Sequence, residues 1–194
     1  LLREKHWLYA VGFAISAMLP LAIFLLSNSR LAAAPSPPHG LSALHWNVLW
    51  LQQGKTAVVK QTTDWDTDLL LLSEVTEDIG AAGFANRRVL RLRTMLLVVR
   101  GELRDIQRHA RQALDLVLGD FNTPRSAHSG QMVAKGYQHA YSLIGDGLNF
   151  TWPARLPLIA LDHCLIGPRL HPTQQCSELC DHRAQQLWFE LPAD

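Results

Sequence analysis

Leu116-Val117-Leu118-Gly119-Asp120-Phe121-Asn122-Thr123-Pro124 is the stretch from which the rest of the chain is read. An aliphatic run enters a glycine, and a carboxylate and a carboxamide follow two residues apart. Pro124 prevents continuation. The pattern predicts a buried strand that ends in a sharp turn. On an extended chain Asp120 and Asn122 project from one side, because side chains alternate with period two. A carboxylate and an amide side by side suit a cation and a phosphate oxygen.

Upstream, residues 69–72 are four consecutive leucines, as in a strand covered on both faces. Glu74 stands at the end of that run, where a carboxylate is costly unless it is paired or metal-bound. Asp64, Asp66 and Asp68 alternate like the start of a calcium loop, but Leu69 and Val75 occupy the positions that need glycine and glutamate. Residues 41–50 read as a strand with Asn47 inside it, 52–61 as a short helix or turn, and 81–93 as a loop or weak strand. Residues 94–99 read as a strand and 102–114 as a helix. Downstream, 126–136 predicts a short helix closed by Gly136. Residues 156–166 are apolar with Asp162 and His163 embedded. Asp181 and His182 precede a last strand at 186–191.

The chain has 194 residues, 48% hydrophobic and 18% charged, with a net charge of +1. That balance disfavours a dedicated nucleic-acid binder, which would carry a dense basic face. The apolar excess lies at the N-terminus, where residues 7–29 carry no charge. At about 1.5 Å per residue, residues 8–26 match a bilayer core of roughly 30 Å. Trp7 and Tyr9 sit at one end, as interfacial aromatics do. The expectation is an N-terminal transmembrane helix within an anchor at 1–33, a Pro-rich linker at 34–40 and a domain at 41–194. Arg3 and Lys5 ahead of the run favour a cytoplasmic N-terminus and an exported domain at the cell membrane. A cleaved signal peptide ending near Leu31-Ala32-Ala33-Ala34 and a buried core helix are the rival readings. Cys176 and Cys180 pair in an oxidising compartment or stay free, and with Cys164 they match no zinc-ligand spacing.

The ordered set Trp46-Asn47, Ser73-Glu74-Val75, Gly119-Asp120-Phe121-Asn122, Leu161-Asp162-His163 and Asp181-His182 resembles the endonuclease/exonuclease/phosphatase superfamily. With the apolar N-terminus it resembles the membrane-anchored bacterial subgroup. The resemblance implies an α+β fold, a four-layer α/β/β/α sandwich of two mostly antiparallel sheets. It implies Mg²⁺ or Mn²⁺ held by Glu74, with Asn47 and Asp181 close by. Asp120 and Asn122 would orient the attacking water and a phosphate oxygen. His182 would contact the scissile phosphate or move a proton, and Asp162 would fix that imidazole.

The implied function is a membrane-tethered, metal-dependent phosphoesterase that hydrolyses a phosphodiester or phosphomonoester by metal-activated water attack. Nucleic acid and lipid-linked phosphate are both open as substrates. The alternative is a shortened, impaired relative that keeps the scaffold as a membrane-associated binding domain. The short spacing from Glu74 to Asp120 predicts a missing central segment, the strand that bears a second phosphate-contacting His or Tyr in the family. His163 reads as local packing and His45 has no assigned role.

Overall fold

The structure, a computed structural model, describes residues 2–27, 29–30, 40–76, 79, 84, 87–100, 115–145, 147–153, 156, 158–178 and 183–191. Helix α1 (Leu2–Ser27) leads into a short strand β1 (Ser29–Arg30). The domain begins with β2 (Leu41–Asn47), a 3-10 turn (Leu49–Leu51), α2 (Lys55–Asp64) and β3 (Leu69–Ser73). The hairpin β4 (Arg88–Leu92) and β5 (Met95–Val99) follows, then β6 (Leu116–Asp120), α3 (His128–Val133) and β7 (Gln138–His139). Helix α4 (Ala140–Ile144), β8 (Gly147–Leu148) and β9 (Asp162–Ile166) lead to the closing hairpin, β10 (His171–Glu178) and β11 (Ala184–Glu190).

Two sheets result. One has six strands in the order β10-β11-β2-β3-β5-β4, and the other has three in the order β6-β9-β7. Among the described residues only β2 and β3 pair in parallel. A parallel pair needs a crossover connection, and α2 supplies it. A separate ribbon joins β1 to β8, with Ser29 opposite Leu148.

Alternation along β2 assigns its two faces. Leu44 and Trp46 point outward, into a core with Val58 of α2, Leu70, Leu72, Leu96 and Val98. Trp46 meets Trp65 edge to face at 5.1 Å. Ala43 points inward, where Leu187 and Phe189 pack with Cys164, Ile166, Leu116 and Leu118 of the second sheet. Leu70 and Leu72 have no exposure, and each such side chain contributes about 1.5–3 kcal/mol. Burial holds the Cys164 thiol well above the ordinary thiol range, so it packs as an inert apolar group. Two mostly antiparallel sheets thus pack face to face, with α2 over the outer face of the larger one. His45 and Asn47 share the inward side of β2 with Ala43, which places two polar side chains between the sheets.

Several expectations need correction. A helix does form near the N-terminus, but among the described residues no helix is long and apolar enough to cross a membrane. The hairpin strand β4 occupies residues read as a loop or weak strand. The expected helix at 102–114, Cys180 and linker residues 34–39 lie outside the described residues. So does most of the segment between β5 and β6, where the missing strand was expected. Among the described residues the second sheet has three strands.

Candidate active site

The site forms where β2, β3 and β6 end and β9 begins. The register of the second sheet sets Asp120 opposite Asp162, and cross-strand partners share a face. The first sheet sets Asn47 opposite Ser73, the residue before Glu74. Asn47 Nδ2 donates to Asp120 Oδ2 at 3.0 Å. The Leu49 N–H donates to Asn47 Oδ1 at 2.9 Å. Asn47 is 1% exposed, so this buried amide satisfies itself at both ends while bridging the sheets. Its oxygen is engaged by the backbone N–H of Leu49.

Asp120 also accepts from the Asn122 N–H, through Oδ1 at 2.8 Å. That bond curls the chain at once, and Asn122 adopts φ +48°. The expected strand alternation of Asp120 and Asn122 therefore fails. A carboxylate that captures the backbone two residues on makes a tight turn, and asparagine tolerates its left-handed conformation. Both side chains stay at the strand end for this reason instead.

Glu74 has φ +55°, a strained conformation for a glutamate. Two backbone bonds enforce it: Trp50 N–H to Glu74 O and Val75 N–H to Thr94 O, both 2.9 Å. Among the described residues no hydrogen bond or ion pair engages its carboxylate. Strain without a structural partner is the pattern of a side chain aimed for use.

Asp162 is 1% exposed. Its N–H, and that of Leu161, donate to Thr151 Oγ1 at 3.1 and 3.0 Å. The Arg183 N–H donates to Thr151 O at 2.9 Å. Thr151 thus joins the start of β9 to the residue directly after His182. Asp181 and His182 themselves lie outside the described residues. The described neighbour of the Asp162 carboxylate is His45, with Nδ1 3.6 Å from Oδ1.

On the outer face of the second sheet His163 Nε2 donates to Thr123 O at 2.7 Å, holding the turn that Asp120 begins. Phe121 and His139 flank its ring at 5.5 and 5.3 Å. Burial, opposed by the Thr123 bond and the nearby Asp162, leaves the His163 pKa below the imidazole range. His139 is pushed down to about 4 by burial, then by the neighbouring Arg125 and His163. Burial likewise lowers the Arg125 pKa, and the guanidinium donates to Ser142 Oγ.

Sequence reasoning thus missed the contacts of His45 and Thr151, while His163 packs locally as expected. His45 stands two residues before Asn47 on the same face, a signal available from alternation alone. Nothing in sequence distinguishes Thr151, whose role depends on two distant segments. Among the described residues no three His, Cys, Asp or Glu side chains cluster to hold a metal, and Asp181 lies outside that set. The donors present at the strand ends, Glu74, Asp120 and Asn122, are hard oxygens that fit Mg²⁺ or Mn²⁺.

No family model and no curated protein matches the chain. Solved structures do. The endonuclease domain of TRAS1, a telomere-specific non-LTR retrotransposon, is 11% identical, with a TM-score of 0.56 over 81% of this chain and 100% of that one. A mannosyl-6-phosphatase from Bacteroides thetaiotaomicron is 12% identical, with a TM-score of 0.58 over 77% and 99%. A Neisseria 3′ phosphatase bound to a product DNA hairpin is 14% identical, with a TM-score of 0.58 over 78% and 100%. An endonuclease/exonuclease/phosphatase family protein from Bacteroides thetaiotaomicron aligns with a TM-score of 0.55 at 12% identity, over 79% and 98%.

The fold is the endonuclease/exonuclease/phosphatase fold. At these identities the likeness establishes architecture, and function has to come from the site. Asn47, Glu74, Asp120 and Asp162 gather at this common strand end, with Asn47 and Asp162 buried and Glu74 and Asp120 half-buried.

Proposed function

We propose that this protein is a divalent-metal-dependent phosphoesterase. The observation that supports this most is the Asn47–Asp120 bond, which draws an amide, two carboxylates and a strained glutamate to one end of two packed sheets. The structural neighbours include nucleases and phosphatases, so phosphodiesters and phosphomonoesters are both in scope.

In this reading Asp120 orients a water for in-line attack at phosphorus, with Asn47 fixing the carboxylate and the Asn122 amide meeting a phosphate oxygen. Glu74 would hold the cation, and Asp181 would supply the second carboxylate that the sequence resemblance implies. A bound Mg²⁺ or Mn²⁺ supplies charge neutralisation at the phosphate and a lowered water pKa. His182 contacts the phosphate and transfers a proton, while Asp162 holds its ring.

Membrane association belongs to the same proposal. The α1 side chains are exposed on every face, from Phe13 at 78% to Leu26 at 74%, and a helix apolar all round calls for lipid or protein cover. Arg3 and Lys5, ahead of the uncharged run that begins at Trp7, favour a domain outside the cytoplasm. The helix attaches at the rim of the site: β1 pairs with β8, and Phe24 stacks on Phe150 at 5.4 Å, next to Thr151.

Thermal unfolding under Mg²⁺ or Mn²⁺ titration tests the reading. Saturating metal raises the Tm of the wild type and leaves Glu74→Ala unchanged. An equal response in both proteins, or none in the wild type, favours the scaffold-only alternative.

A further inference from the structure

His45 is buried between the sheets at 1% exposure. Its Nε2 lies 3.1 Å from Ser73 Oγ, the residue immediately before Glu74. Its Nδ1 lies 3.6 Å from Asp162 Oδ1 across the inter-sheet gap. One imidazole therefore touches both the strand end that delivers Glu74 and the carboxylate read as the His182 orienter.

The lattice of pairings explains the placement. His45 and Asn47 are two apart on β2 and face the same way. Asp162 and Asp120 are cross-strand partners on the opposing sheet. Asn47 meets Asp120 and His45 meets Asp162, two bridges that leave β2 two residues apart and end on directly opposed residues of β6 and β9.

We propose that His45 is a positioning residue for Asp162, and through Ser73 for Glu74. This rests on the phosphoesterase reading for its catalytic consequence, though not for the contact itself. A carboxylate facing Nδ1 favours a proton there, so Nδ1–H points at Asp162 and the Ser73 hydroxyl donates to Nε2. The 3.6 Å separation is an electrostatic contact longer than a hydrogen bond. It orients the carboxylate electrostatically. Partners that orient a ligating or catalytic group typically change activity by about 10–100-fold when removed.

The test uses the full chain. His45→Asn keeps an N–H donor near the Nδ1 position, and His45→Leu keeps volume without a donor. With an aryl phosphodiester and saturating Mg²⁺, kcat falls about tenfold or more in His45→Leu with KM within about twofold, and His45→Asn recovers most of it. Imidazole ¹⁵N spectra give a readout independent of turnover. His45 shows the Nδ1–H tautomer in the wild type and loses that bias in Asp162→Asn. Unchanged kcat in His45→Leu, equal losses in both variants, or an Nε2–H tautomer indifferent to Asp162→Asn would overturn the proposal. A wild type without hydrolytic activity but with the Asp162-dependent tautomer would refute the phosphoesterase reading and leave the contact standing.

Discussion

Asn47 on β2 and Asp120 on β6 are joined by a 3.0 Å hydrogen bond that crosses from one sheet to the other. The bond does two jobs at once. It satisfies a buried amide, and it fixes the carboxylate whose other oxygen closes the turn at Asn122. The geometry of the candidate site and the docking of the sheets therefore share one interaction.

Asn47→Leu strips Asp120 of its donor and leaves the Leu49 N–H without an acceptor. Losing such partners costs about 1–3 kcal/mol. Chemical denaturation should show a loss in that range, and phosphodiester hydrolysis should fall by about 10² or more. A neutral effect on both would mean that the bridge is not formed in solution.

Glu74 sits at φ +55°, where glycine is at ease and alanine is not. Glu74→Gly should be more stable than Glu74→Ala by about 1 kcal/mol, while both are inactive. Denaturation midpoints of the two variants decide the matter, and equal midpoints would remove the claim of strain.

Gly130 lies in α3 against the turn that follows Asp120. A Cβ there would stand 2.7 Å from Pro124 O and 3.2 Å from Thr123 Cγ2. Gly130→Ala must displace backbone, at a cost of about 1–3 kcal/mol. The Asp120–Pro124 turn moves with it, so kcat should drop although residue 130 touches no substrate.

His139 has a folded pKa of about 4, below the ordinary 6.5, because burial and the nearby Arg125 disfavour its charged form. The unfolded chain then binds the extra proton first. Stability is fully present above about pH 6.5 and declines as pH falls toward 4. His139→Asn should flatten that part of the Tm-against-pH curve. A curve with the same slope in both proteins would place the acid sensitivity elsewhere.

The strands were legible where burial dictates composition. Residues 69–72 and 116–118 have few alternatives to buried strands, and β3 and β6 fall there. Membership of the site was legible only as an ordered set, because Asn47, Asp120 and Asp162 converge through the docking of two sheets that no local pattern encodes. Alternation misjudged Asn122, since a local carboxylate-to-backbone bond outcompeted strand continuation. His45 passed unnoticed for the opposite reason: its face was readable, but its partners at Ser73 and Asp162 lie 28 and 117 positions away and meet it only in the folded state. The N-terminal run marked a helix correctly, and its membrane role stays a proposal.

The central claim is that the bridged carboxylate does phosphoester chemistry. The most direct measurement is kcat/KM for an aryl phosphodiester with Mg²⁺, wild type against Asp120→Asn, both confirmed folded by circular dichroism. Asp120→Asn keeps the shape of the side chain and removes its charge. A loss of about 10³-fold, with activity in the wild type abolished by a chelator and restored by Mg²⁺, is the predicted result. Equal turnover in the two proteins, or turnover indifferent to the chelator, would contradict it.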